Sequence, residues 1–248
     1  MLRTSRVSGF YDEDLAYIHH IGYASLVDGA GPELLAWIAS CGIEAGKLID
    51  LGCGSGTFAK QACDAGFDVL GADLSPAMIQ IARGVAPEAD LRCASLFELE
   101  LSACQVVTML GEGLNYCAGG EPDDRRIEGL FARVAAALEP GGIFAFDVIV
   151  ADDDNPMVGT PARAGLDWAV LSVLTEDLEA RQLIRTITTF REVSGHYRRS
   201  DEVHIVRVFE ASALAMMLKA NGFSVETSPC YGAFPLMPRR RAFLARKT

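Results

Sequence analysis

The stretch Leu48 to Phe58, LIDLGCGSGTF, constrains this chain more than any other. An apolar run ends in an acid, and glycines follow at Gly52, Gly54 and Gly56. The run reads as a buried strand, and TFAKQACDAG behind it as a helix with Gly66 placed to end it. A strand, a glycine turn and a helix N-terminus bring backbone N–H groups to one point, and glycine lets a ligand approach closely there. The dinucleotide fingerprint GxGxxG needs its third glycine at position 57, which is Thr57, so the spacing is GxGxG instead. Asp73 closes the following strand, DVLGAD, 21 residues after Gly52 (73 − 52). A carboxylate at that place can accept from both ribose hydroxyls. Adenosine recognition is expected; a pyrophosphate cradle is not.

Up to about residue 150, short apolar runs alternate with longer amphipathic stretches, which predicts a parallel sheet flanked by helices. The strands are KLID (47–50), DVLGAD (68–73), DLRCA (90–94), QVVTML (105–110) and GIFAFDVIV (142–150). Ser75 is the N-cap of the second helix, with Pro76 at its first position, where a missing N–H costs nothing. The helix in PDDRRIEGLFARVAAALEPGG has acids in its first turn and a Pro-Gly stop. After a loop-like stretch at 151–165 the period becomes two, in LDWAVLSVLTED, ARQLIRTITTFRE and GHYRRSDEVHIVRVF, which predicts an antiparallel meander. A helix at 211–223 follows, and FSVETSP and RRAFLARK supply the last two strands, with a loop at 230–238 between them. The expected division is an α/β domain over 1–150 and 209–248, interrupted by a β-rich insertion over 151–208.

The formal charge of −11 leaves little basic surface for a phosphate backbone and favours a small molecule over a nucleic acid. Arg239-Arg240-Arg241 reads as a solvated strand edge. The seven cysteines form no CxxC pair and no Cys/His cluster with zinc spacing, so no metal is expected and the thiols read as small buried hydrophobes. No apolar run approaches the roughly 18–20 residues that span a bilayer, and the first 20 residues lack a signal peptide's apolar centre. A cytoplasmic protein without membrane contact is the expectation.

LIDLGCGSGTF together with GADLSPAMI resembles the first motif and the following acidic motif of class I S-adenosylmethionine-dependent methyltransferases. The order of elements is similar to that family's over roughly the whole chain. The resemblance implies a seven-stranded Rossmann-like sheet with helices on both faces and its last strand antiparallel, plus the inserted meander as a lid over the acceptor. It implies S-adenosylmethionine as methyl donor and S-adenosylhomocysteine as product. Asp50, Gly52, Cys53 and Gly54 would then meet the methionine end, and Asp73 the ribose hydroxyls. Leu74 and Met78 would lie against the adenine, with Ser95 and Leu96 at its edge and Leu110 and Gly111 bordering the donor. Met78 and Leu96 also read as core residues, and Ser95 as a turn cap.

The fourth strand ends in LGEGLNY, without the Pro-Pro-aromatic motif typical of amino-methyltransferases of nucleic acids in this superfamily. No Thr-Cys pair of the RNA cytosine type and no paired-glutamate loop of the protein-arginine type is found, and the Pro-Cys pair at Pro229-Cys230 lies far from the fourth strand. A small-molecule acceptor, methylated on nitrogen or oxygen, is therefore expected, and a homodimer is open. Tyr11, Asn115 and Tyr116 are the favoured residues beside the acceptor. Tyr17, His19, His20 and Tyr23 are further candidates, with at most one of the adjacent histidines expected to face the site. Arg198, Ser200, Glu202 and His204 share one face of the last meander strand, where a solvated cross-strand ion pair explains the charges as well as carboxylate binding does. Two other readings stand beside the enzyme: a non-catalytic nucleotide-binding regulatory module, and an NAD-dependent oxidoreductase, which Thr57 and the missing Tyr-x-x-x-Lys pair oppose.

Overall fold

The computed structural model describes residues 10–116 and 124–248. Cys117 and the first acid of the helix predicted near 122 lie outside them. In chain order the elements are α1 (Glu13–Gly22), α2 (Ser25–Ser40), β1 (Gly46–Leu51), α3 (Thr57–Asp64), β2 (Phe67–Asp73), α4 (Pro76–Val85), β3 (Asp90–Cys93) and β4 (Cys104–Met109). Then come α5 (Asp124–Ala137), β5 (Leu138–Ile149), β6 (Ala162–Ala164), β7 (Trp168–Asp177), β8 (Gln182–Val193), β9 (His196–Arg207) and α6 (Ala211–Ala220). β10 (Phe223–Ser228), β11 (Cys230–Tyr231), β12 (Phe234–Pro235) and β13 (Arg240–Lys247) end the chain.

The main sheet has seven strands in the order β10-β13-β5-β4-β1-β2-β3. Its β1, β2, β3, β4 and β5 pair in parallel, while β13 runs antiparallel to both β5 and β10. The order reverses at β1, and ligands of open α/β sheets bind at such a point, beyond the carboxyl ends of the strands. Both faces of the sheet are covered, so its strands read as apolar runs. Ile49, Leu51, Val107, Phe144, Phe146 and Phe243 pack with Phe131 and Leu214 of α5 and α6 on one face. Leu48, Val106, Ile143 and Ala145 pack with Leu34, Ile38, Phe58 and Ala62 of α2 and α3 on the other. Each fully buried large side chain contributes about 1.5–3 kcal/mol against chain entropy.

The meander is a separate four-stranded antiparallel sheet, β6-β7-β8-β9. Its inner face meets α1 through Leu15, Ile18, Trp168, Val170 and Ile187. A second apolar contact, of Leu183, Val206 and Val208 with Ile149, ties it to the end of β5. α1 therefore lies between the two sheets.

Several details depart from the pattern-based expectation. The loop expected at 151–165 contains β6, which adds to the edge of β7, and the loop expected at 230–238 holds the two-stranded ribbon β11-β12. The arginine cluster is not a solvated edge. Arg239 is buried against Glu176, with Nη2–Oε1 at 2.7 Å, and Arg240 pairs with Glu112 and Asp147. Charged residues at a strand end read as solvent-facing until the acids that pair with them, far away in sequence, are brought there by the fold.

Candidate active site

The glycine turn follows β1 and has three left-handed residues: Gly52, Gly54 and Gly56, with φ of 69°, 53° and 80°. The three differ in what surrounds them. A Cβ on Gly54 would meet nothing within 4 Å, and one on Gly52 only the Gly113 Cα at 3.7 Å, whereas one on Gly56 would sit 2.9 Å from Ala82 Cβ and 3.0 Å from its Cα. Gly52 and Gly54 thus open a concave surface, and Gly56 serves the close packing of α3 on α4. Cys53 is buried behind them, and burial raises its thiol well above the ordinary range.

Asp73 closes β2 opposite this turn. Its Oδ2 accepts the Gly54 N–H at 2.9 Å and its Oδ1 the Ser75 N–H at 2.8 Å. Burial nevertheless raises its pKa, which the backbone donors partly offset. Ser75 caps α4 by accepting the Met78 N–H at 3.1 Å, as the sequence predicts. Asp50, one strand position before the turn, is buried and accepts from Thr108 Oγ1 at 2.8 Å. Burial pushes its carboxyl up to about 7, against the Thr108 hydrogen bond and with help from the nearby charge of Asp73. A partly protonated buried carboxyl at the end of β1 would be stabilised as a carboxylate by an arriving ammonium group.

The other positions expected around the donor divide into two groups. Leu74 is 48% exposed beside Asp73, an apolar surface open to a flat ring. Ser95 caps its own turn through the Phe97 N–H at 3.2 Å, and Leu96 packs against the core. Met78 is 2% exposed, a core side chain. Leu110 is buried, and Gly111 at φ 81° donates its N–H to Asp147 Oδ1 at 2.9 Å.

Beyond β4 the polar groups converge. Tyr11, held at the rare φ of 55°, places its hydroxyl 3.2 Å from that of Tyr116. Tyr116 Oη lies 3.2 Å from His204 Nδ1, and His204 Nε2 lies 2.8 Å from Glu202 Oε2. Arg185 donates to Tyr116 Oη at 3.3 Å and to Glu112 Oε2 at 2.7 Å. Burial alone would raise Glu112, but Arg240 and Arg185 outweigh it and hold the carboxyl below its ordinary range. Burial raises both tyrosines, Tyr11 well above its ordinary value, so both hydroxyls keep their protons near neutrality.

Glu202 also accepts the Tyr11 and Asp12 N–H groups, at 2.9 and 3.1 Å, just ahead of α1. The inner face of β9 is therefore covered from Glu202 onward, and only its Arg198 end stays exposed. Arg198 and Ser200 bind Asp14, Glu202 holds the start of α1, and His204 is 1% exposed. On the opposite face Arg199 reaches Asp201, two residues along the same strand, at 2.9 Å. Both histidines of α1 also engage the site. His19 packs on the Tyr11 and Tyr23 rings at centroid distances of 5.1 and 5.8 Å, and His20 Nδ1 lies 3.1 Å from Ser55 Oγ in the glycine turn. Burial pushes the His19 imidazole down to about 4. Two adjacent histidines both reach it because α1 lies across the cleft, with the glycine turn beside one residue and Tyr11 beside the other.

Asn115 does not join this group. Its Nδ2 donates to Arg207 O at 2.6 Å and its Oδ1 accepts the Ile149 N–H at 3.2 Å, with the side chain 0% exposed. Its amide is consumed in fastening the turn after β4 to β5 and β9, which makes it a strut rather than a residue facing an acceptor. Glu112, Arg185, Asp147 and Arg240 carried no local signal. Besides the favoured Tyr11 and Tyr116, the period-two alternation in β9, which groups Glu202 with His204, pointed toward part of the cluster.

Residues 48–142 match the family model described as a methyltransferase domain. The chain is 27% identical over 199 residues to YqeM of Bacillus subtilis (strain 168), named as a methyltransferase, covering 76% of this chain and 78% of that one. The sugar N-methyltransferase KedS8 from Streptoalloteichus sp. superposes with a TM-score of 0.79 at 18% identity, over 100% of this chain and 98% of its own. An S-adenosylmethionine-dependent methyltransferase from Clostridium acetobutylicum superposes at 0.78 with 18% identity, over 94% and 97% of the two chains. Residues 48–142 thus carry a methyltransferase domain, and the chain as a whole shares the fold of S-adenosylmethionine-dependent methyltransferases. The open Gly52–Gly54 surface, the paired backbone donors on Asp73 and the buried Asp50 carboxyl fit a ligand with an amino-acid end and a ribose. Among the described residues no group of three His, Cys, Asp or Glu could hold a metal ion. None of their helices is long and apolar enough to cross a membrane.

Proposed function

We propose that this chain is an S-adenosylmethionine-dependent methyltransferase that acts on the nitrogen or oxygen of a small-molecule acceptor, bound between the glycine turn and the meander with residues 151–208 as its lid. The hydroxyl pair of Tyr11 and Tyr116 carries this reading. It stands beyond the carboxyl end of β4, beside the donor surface and under the inserted sheet, where an acceptor atom would meet the methyl group. When bound, S-adenosylmethionine supplies an electrophilic methyl on a sulfonium. The protein's part is then to align the acceptor in line with it and to exclude water.

In this reading Asp50, Gly52, Cys53 and Gly54 bind the methionine end and Asp73 the ribose. Leu74, Ser95, Leu96, Leu110 and Gly111 border the adenosine, with Met78 supporting from the core. The net charge of −11 and the burial of the arginines in ion pairs favour a small acceptor over a nucleic acid. The fold shared with a sugar N-methyltransferase makes amino sugars the first compounds to try. A cytoplasmic location belongs to the same reading. So does a homodimer through the outer face of the meander, where Leu171, Val173, Val203 and Ile205 are about half exposed beside the opposite charges of Arg199 and Asp201. Light scattering on Val203→Lys tests the dimer, which should dissociate.

The decisive experiment supplies labelled S-adenosylmethionine with amino sugars, aliphatic amines and phenols in one arm, and with RNA, DNA and cell-extract protein in the other. Label transferred to a small molecule is the expected result. Transfer only to macromolecules would overturn the acceptor class.

A further inference from the structure

Four side chains from three separate parts of the chain form one continuous line of hydrogen bonds: Tyr11, Tyr116, His204 and Glu202. Their protons can be assigned from the partners alone. Glu202 Oε2 only accepts, so His204 Nε2 at 2.8 Å must carry a hydrogen. In neutral His204 the Nδ1 is then an acceptor, and Tyr116 must donate its one hydroxyl hydrogen there, at 3.2 Å. Tyr116 Oη also receives Arg185 Nη1–H, at 3.3 Å. Tyr11 has to donate to Tyr116, which leaves the lone pairs of Tyr11 Oη turned out of the chain. If His204 gains a second proton, every bond reverses and Tyr11 presents its hydrogen instead.

We infer that this chain is a proton relay ending on His204, and that the acceptor is a molecule that must lose an N–H or O–H proton as it is methylated. The inference rests on the small-molecule reading above. As the acceptor's lone pair forms its bond to the methyl carbon, the carbon–sulfur bond breaks and its electron pair stays on sulfur. The acceptor's proton passes to Tyr11 Oη, that of Tyr11 to Tyr116 Oη, and that of Tyr116 to His204 Nδ1. The positive charge lost from sulfur reappears as an imidazolium against the Glu202 carboxylate. His204 is a positioning and proton-accepting residue acting through the tyrosines, and Glu202 fixes its tautomer.

Three features beyond the distances support this assignment. His204 and Glu202 are 1% and 4% exposed, so the proton does not come from bulk water beside the imidazole. Burial raises both tyrosines, so each can pass a proton without being stably ionised. Glu202 also holds the Tyr11 and Asp12 N–H groups, so the carboxylate that orients the imidazole also seats the first tyrosine of the chain. The charged and titratable groups around His204 are Glu202 on its own strand, Arg185 opposite it on β8, Tyr11 ahead of α1, His19 on α1, and Tyr116 and Glu112 after β4. Arg185 and Glu112 form an ion pair, and His19 stays neutral above about pH 4. Glu202 is therefore the uncompensated charge facing the imidazole.

The full-length protein is labelled with 15N-histidine and saturated with S-adenosylhomocysteine. The His204 signals should show the Nε2–H tautomer with a hydrogen-bonded Nδ1, and Tyr116→Phe should shift Nδ1 alone. A protonated Nδ1 at neutral pH, or an Nδ1 that ignores Tyr116→Phe, overturns the relay whether or not turnover is found. With an acceptor from the labelled panel, the wild-type rate should fall as pH drops. His204→Gln keeps partners for Glu202 and Tyr116 but cannot take up the proton. It should lose 10-fold or more in kcat, keep its affinity for S-adenosylhomocysteine and lose that acidic limb. Retention of the rate and the limb in His204→Gln would overturn the relay and leave the acceptor class standing. Failure of the whole small-molecule panel would sink the reading beneath it, with the NMR outcome still separate.

Discussion

Asp73 and Gly54 are joined across the mouth of the donor surface, the carboxylate Oδ2 accepting the glycine N–H at 2.9 Å. One residue that would hold a ribose thereby also shapes the turn that would hold the methionine end. Asp73→Ala removes both the ribose acceptor and the brace. Hydrogen bonds to a charged group are worth about 1.5–3 kcal/mol, so binding of S-adenosylhomocysteine should weaken by about 10- to 100-fold. Calorimetry checks this, and unchanged affinity would remove Asp73 from the site.

Gly54 and Gly56 should separate binding from stability. Both adopt a positive φ, so alanine strains either position by about 1 kcal/mol. Alanine at Gly54 projects into open space where the ligand would lie, whereas at Gly56 it runs into Ala82 of α4. Gly54→Ala should fold with a small loss of Tm and bind S-adenosylhomocysteine poorly. Gly56→Ala should lose about 1–3 kcal/mol more from overpacking. Denaturant melts beside calorimetry distinguish the two, and equal effects would mean that the turn acts as one unit.

Asn115 should behave as a structural residue. Asn115→Ala leaves the Arg207 carbonyl and the Ile149 N–H without their side-chain partner in a buried place, at about 1–3 kcal/mol each. A clear drop in unfolding free energy is expected, with S-adenosylhomocysteine affinity nearly unchanged. A stable variant that has lost only turnover would return Asn115 to the acceptor side.

The proposed donor half could be read from the sequence because its chemistry is local. Gly52, Gly54 and Asp73 lie within one strand–turn–helix–strand unit, and each position requires a particular residue type. The missing glycine at Thr57 also spoke against the pyrophosphate reading. The acceptor half is assembled from residues 11, 112, 116, 185, 202, 204 and 240, which meet only after the meander folds over α1. Nothing in their neighbourhoods shows that Arg240 is paired or that Asn115 is fully bonded. Sequence periodicity correctly grouped Glu202 with His204, but whether that face met water or α1 was decided by tertiary contact.

Asp14 should latch α1 to the meander. This acid is 3% exposed and meets Arg198 Nε at 2.7 Å, Ser200 Oγ at 3.1 Å and Arg191 Nη1 at 3.5 Å, while Arg191 also covers the Tyr17 ring at 3.7 Å. Burial opposes ionisation of Asp14, but the Arg198 and Ser200 hydrogen bonds win and lower its pKa. Asp14→Ala should free the start of α1, seen as faster amide hydrogen exchange over residues 12–20, and slower exchange elsewhere is not expected. Unaltered exchange would show the apolar contacts of Leu15 and Ile18 to be sufficient.

Asp50 gives a pH dependence with a definite sign. Its carboxyl titrates near its ordinary 3.8 when unfolded and near about 7 when folded, because it is buried beside Asp73. Between those values the folded chain holds an extra proton, so this group's contribution makes the protein less stable as pH rises from about 4 to 7, by up to about 1.4 kcal/mol per unit. Asp73 and Asp147 are raised and act in the same sense, whereas Asp14 and Glu112 are lowered and act in the opposite one. The difference between wild type and Asp50→Asn isolates the effect: the variant should gain stability relative to wild type as pH climbs through this window. Ligand affinity should move the other way, since an ammonium group favours the ionised acid. Wild-type affinity for S-adenosylhomocysteine should rise between pH 5.5 and 7.5 by up to about tenfold per unit, while Asp50→Asn stays weak and flat. Parallel curves for the two proteins would mean that Asp50 does not meet the amino-acid end of the ligand.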